Sequence, residues 1–137
     1  MTTEANNTTE RKALDSLAKY AAQQILRMES IIKNSTETLA RDFNGNFEWE
    51  AEHIFKANLR LEFLVELNKL LCDEECNEEA VKFYLRQTVK RKRDDIMNCD
   101  PYSRSSNGAS DLADRWRYEA DKDIMYLARN TMDRFED

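Results

Sequence analysis

Glu50 and His53 stand three residues apart in the stretch Glu50-Ala51-Glu52-His53. In a helix this spacing puts a carboxylate and an imidazole on one face, and helical bundles use it as half of a carboxylate-bridged metal site. An antiparallel first helix would bring Glu37 near, and Asp94 and Asp111 are the acids that would close such a site from the other helices. A second Glu-x-x-His is absent, and the remaining acids stand near helix ends. The three cysteines, Cys72, Cys76 and Cys99, complete a Cys3His inventory with His53. Yet His53 and Cys72 lie 19 residues apart in one continuous helical pattern, roughly 28 Å, whereas zinc ligands must all lie within about 2.3 Å of one ion. The expectation is therefore no resident metal and no cofactor. A carboxylate/histidine metal-binding bundle is kept as the last of three functional alternatives.

The other concentrated chemistry is basic. Lys90-Arg91-Lys92-Arg93 follows Arg86 by one turn, with Arg104 beyond it. Such a cluster can contact phosphates, and Tyr102 and Trp116, the latter flanked by Arg115 and Arg117, are rings that could stack on a base. Four consecutive residues fan around a helix, however, and Asp94 and Asp95 follow at once. With a single histidine no His-based triad extends beyond His53, and two glycines exclude a Gly-rich phosphate loop. A non-catalytic chain is expected.

Those residues must be carried by helices. A 137-residue chain with two glycines and one proline lacks the turn residues of a sandwich or barrel. Leu14, Ala18, Ala21, Ile25, Met28, Ile32, Ser35 and Leu39 recur at spacings of four and three, a heptad seam of about three and a half repeats. The spacing predicts a helix over 9–43, with Thr9 as N-cap and a stop at Asn44-Gly45-Asn46, residue types that accept a left-handed helix end. A second helix over 46–72 is apolar on both sides: Phe47, Ile54, Ala57, Leu61, Leu64 and Leu71 on one, Phe55, Leu59, Phe63, Leu67 and Leu70 on the other. A third spans 78–97 and a fourth 110–135, capped by Ser110. The predicted core includes Leu17, Ile25, Ile32, Ile54, Leu61, Leu64, Leu85, Trp116, Ile124 and Leu127. The fold class is all-α, a four-helix antiparallel bundle with a long first helix, organised as a short N-terminus (1–8, expected flexible) and one helical domain (9–137).

Charge and hydropathy set the remaining expectations. The net charge is -6, with ten acids against three bases over residues 47–80 and seven bases against three acids over 81–108. The start, Met1 to Asn7, is polar and no segment approaches the roughly 18–20 apolar residues of a membrane span; a cytoplasmic protein with reduced thiols is expected, with no membrane partner. Helix 1's seam and helix 2's two apolar faces suggest a homo-oligomer, most simply a two-fold dimer, with Leu14, Ala21, Ile25, Met28, Ile32, Phe55, Leu59 and Phe63 at the interface. The leading functional expectation is a protein-protein interaction module: an adaptor or a stoichiometric inhibitor, such as a phage-type antagonist of a host protein. The alternative is a nucleotide- or nucleic-acid-binding module. For either, the partner- or anion-binding residues are Lys90, Arg91, Lys92, Arg93, Tyr102, Arg104 and Ser110, grouped around the stretch from Asn98 to Ala109 and the free amides of the fourth helix.

Overall fold

A computed structural model describes residues 2–99 and 108–133, with side chains over 11–99 and 111–133. The described residues form four helices: α1 (Thr2–Arg41), α2 (Phe43–Leu71), α3 (Glu78–Asn98) and α4 (Gly108–Asp133). The all-α class holds. Residues 2–41 contain neither glycine nor proline, so nothing interrupts α1, which rises about 60 Å. Thr9 therefore lies within α1 and does not cap it. Tyr102 and Arg104, and with them most of the stretch from Asn98 to Ala109, lie outside the described residues.

The stop predicted at Asn44-Gly45-Asn46 is displaced. Those residues form the first turn of α2, and one residue, Asp42, separates the two helices. Asp42 takes φ -149° and ψ 88°, and its carboxylate accepts the Gly45 amide at 3.0 Å, which satisfies one of the amides a helix start leaves open. Asn46 Nδ2 donates to the Thr38 carbonyl at 3.1 Å and ties the start of α2 to the end of α1. Among the described residues no φ is positive, so Gly45 contributes its size: a Cβ there would lie 2.4 Å from Asp42 Oδ2.

From this corner α2 retraces α1. Trp49, Glu50 and His53 face Ile31, Asn34, Ser35 and Thr38, and further along α2 Ala57 and Arg60 face Met28. The α2–α3 connection is an Asx turn, with Glu75 N bonded to Asp73 Oδ1 at 2.9 Å, followed by Asn77, which caps α3 through the Ala80 amide at 2.8 Å. Glu78 and Glu79 occupy the first turn of α3, where the helix dipole favours acid. α4 starts at Gly108, ahead of Ser110; Ala109, the strongest helix former, extends the helix by two residues, so Ser110 is not its cap.

One core joins all four helices: Leu14, Leu17, Ala21 and Met28 of α1, Ala57, Phe63, Leu64, Leu67 and Leu71 of α2, Val81 and Leu85 of α3, and Ile124 and Ala128 of α4. Burying each large aliphatic among them stabilises the fold by about 1.5–3 kcal/mol. Of the predicted core, Leu17, Leu64, Leu85, Trp116 and Ile124 are buried, while Ile25, Ile32, Ile54, Leu61 and Leu127 are partly so. α2 is the shared element, touching α1, α3 and α4. Its second apolar side is covered from within the chain: Phe55 packs on Trp116 at 5.9 Å and Phe63 lies parallel to Tyr84 at 6.1 Å. No described helix is long and apolar enough to cross a membrane.

Candidate functional site

The residues expected at an oligomer interface are largely committed to the core. Leu14, Ala21, Met28 and Phe63 are buried within the chain, and Ile25, Ile32, Phe55 and Leu59 are partly buried. The heptad seam of α1 thus finds its partner in α2.

The basic cluster is dispersed. Lys92 Nζ is bonded to Asp121 Oδ1 at 3.0 Å and so joins α3 to α4, whereas Lys90, Arg91 and Arg93 are exposed. Trp116, expected as a stacking ring, is 7% exposed and packs on Phe55. Ser110 lies in the first turn of α4. The described residues do not assemble a phosphate corner from these groups.

Glu50 and His53 do meet, with Glu50 Oε2 and His53 Nδ1 4.0 Å apart. Among the described residues, however, no three His, Cys, Asp or Glu side chains converge as a metal site. Cys72, Cys76 and Cys99 are not joined in disulfides. Cys72 Sγ approaches Asn68 Oδ1 at 4.0 Å and Cys76 Sγ the Asn77 carbonyl at 3.7 Å, contacts with their own helix and turn.

What the structure does expose at the α1–α2 corner is aromatic: Phe43 with Phe47 on one side of α2 and Trp49 on another. Phe43, Phe47 and Trp49 are 59%, 42% and 64% exposed. Phe43 and Phe47, one turn apart, hold their rings 5.3 Å apart, and Trp49 meets the His53 ring edge-on at 4.6 Å. The sharp corner at Asp42 produces this surface, because it turns α2 back without a loop that could fold over the rings. Between the two helices the corner also leaves an open cavity of about 380 Å³, lined by Ile31, Asn34, Ser35 and Thr38 of α1 and Trp49, Glu50 and His53 of α2.

Comparison with sequence families, curated proteins and solved structures finds no match. Function rests on the chain's own chemistry.

A second cavity, about 200 Å³, lies where α2, α3 and α4 meet, lined by Phe63, Tyr84, Thr88, Arg91 and Lys92 among others. The Tyr84 hydroxyl donates to the Phe63 carbonyl at 3.5 Å. Burial raises its pKa above the usual 10.0, with Glu66 adding to the rise and a hydrogen bond with Thr88 and the Arg91 charge opposing it. Sequence patterning missed the aromatic corner because Asn44-Gly45-Asn46 reads as a helix stop. The available signal was Phe-x-x-x-Phe-x-Trp, three large rings within two turns with no aliphatic residue among them.

Proposed function

We propose that this chain is a non-catalytic protein-interaction module that presents the α1–α2 corner to a protein partner, as an adaptor or a stoichiometric inhibitor does. One observation carries the proposal: Phe43, Phe47 and Trp49 are all exposed on neighbouring turns of α2. Exposed aromatic groups cost solvation unless covered, and aromatic anchors commonly carry the energy of protein interfaces. The corner is also held rigid by the Asp42 cap and the Asn46–Thr38 bond, so little ordering entropy is lost when a partner binds.

The test is capture of partners from the source cell's lysate by tagged wild-type chain and by a Phe47→Ala/Trp49→Ala variant, each with and without nuclease. The proposal expects a protein retained by the wild type, lost with the variant, and unaffected by nuclease. Equal retention by both chains, or retention abolished by nuclease, overturns it. Circular dichroism of the variant should match the wild type, because both rings lie outside the core.

A further inference from the structure

Three described hydroxyls are buried: Ser35, Thr88 and Thr131. Thr88 Oγ1 donates to the Tyr84 carbonyl at 2.9 Å and Thr131 Oγ1 to the Leu127 carbonyl at 2.7 Å, each closing on its own helix. Ser35 differs. It is 6% exposed, stands on the seam of α1 where an aliphatic residue would pack, and makes no hydrogen bond among the described residues. No described side-chain oxygen is sealed from solvent without a partner, so this hydroxyl opens onto the cavity it lines. A ligand group entering the cavity would meet this hydroxyl as a hydrogen-bond partner.

The rest of the lining defines that group. Trp49 offers a largely exposed indole face beside the cavity, and the Glu50 carboxylate, only 14% exposed, is the anionic group within it. Asn34 and Thr38 add polar oxygens, and Ile31 supplies an apolar wall. Residues 42–55 contain Asp42, Glu48, Glu50 and Glu52 and neither lysine nor arginine, while the facing end of α1 carries Lys33, Glu37 and Arg41. Lys56, the next base along α2, is already engaged by Glu52 and Glu119. An anion here would lie against the Glu50 carboxylate, which faces the His53 imidazole at 4.0 Å, and a purely apolar group would cover that carboxylate without offering it a donor.

We infer that the cavity takes the guanidinium of an arginine side chain carried by the partner protein. A guanidinium is planar and stacks on an indole, its fork of donors matches a carboxylate, and it has further N–H groups for a hydroxyl acceptor. The inference rests on the proposed interaction module and names its partner's chemistry.

The probe is the blocked tripeptide acetyl-Ala-Arg-Ala-amide, titrated into the full chain. Its citrulline counterpart, with nearly the same shape and no charge, is the control. The arginine peptide should produce saturable NMR shifts at the Trp49 indole N–H and the Ser35 amide. The citrulline peptide should bind at least about tenfold more weakly. Glu50→Gln should abolish the preference for arginine, and Ser35→Ala should weaken binding a few-fold. Absence of saturable shifts, equal binding of the two peptides, or a preference that survives Glu50→Gln overturns the inference. Because the wild-type comparison needs no variant, it stands even if a substitution disturbs folding. Failure here leaves the module proposal separately decidable, since capture through Phe47 and Trp49 does not depend on the partner's charge.

Discussion

Lys92 on α3 holds its ammonium 3.0 Å from the carboxylate of Asp121 on α4, and Asp121 is 5% exposed. This pair fixes the register of the α3–α4 hairpin at its middle. It also engages one lysine of the basic cluster within the fold. Removing the cation strands a buried charge, whereas neutralising the anion leaves a polar group that Lys92, a quarter exposed, can release to water. Lys92→Met should therefore destabilise the chain by about 2 kcal/mol, and Asp121→Asn by less. Chemical denaturation of the two variants and their double mutant measures this. A Lys92→Met variant as stable as wild type would show that the pair does not hold the hairpin.

The α1–α2 corner depends on an acceptor at position 42. Asp42→Ala should cost about 1 kcal/mol, and Asp42→Asn, which keeps a side-chain oxygen for the Gly45 amide, a few tenths at most. Denaturation midpoints of the two variants decide the matter, and equal losses would mean the cap contributes nothing.

α4 lies along α2 in a parallel register, with Phe55 against Trp116, Lys56 against Glu119, and Arg60 Nη2 3.6 Å from Asp123 Oδ2. The charged side chains are a quarter to a half exposed, so each pair contributes about 0.2–1 kcal/mol, less at high salt. Trp116 is buried, and truncating it should cost about 3–5 kcal/mol. Thermal unfolding should therefore show a large drop in melting temperature for Trp116→Ala and a small, salt-sensitive one for Lys56→Ala with Arg60→Ala. The reverse order would mean that charge, not apolar packing, docks α4.

Tyr84 supplies an alkaline dependence. Burial raises its folded pKa above the usual 10.0, so its contribution to stability is fully present below pH 10 and is lost as pH climbs from there through the folded pKa, where the unfolded chain releases the proton more readily. Tyr84→Phe removes this component. The wild type should lose more stability than the variant above pH 10, as read by denaturant midpoints on either side of that pH. Parallel curves for the two chains would contradict it.

The helical class and the core stripe of α1 were legible in the sequence because they are set by local periodicity. Leu14, Leu17, Ala21 and Met28 recur on one face whatever they meet, and the absence of glycine and proline over 2–41 leaves no other course for the chain. The start of α3 at Glu78 is equally local, since the Asn77 acceptor reaches an amide three residues on. The helix break was not: Asn44-Gly45-Asn46 and Asp42 are both plausible stops. The choice fell to Asp42 once α2 turned back and Asn46 could reach the Thr38 carbonyl. The two tryptophans make the same point. Trp49 and Trp116 lie in similar amphipathic surroundings, yet one is exposed at the corner and the other buried on Phe55. Likewise, the two apolar sides of α2 look like an oligomer interface until α3 and α4 are seen to cover one of them. Which rings face water, and where Ser35 finds a cavity instead of a neighbour, depend on helices distant in sequence meeting in space. Burial is a property of that meeting and not of any window along the chain.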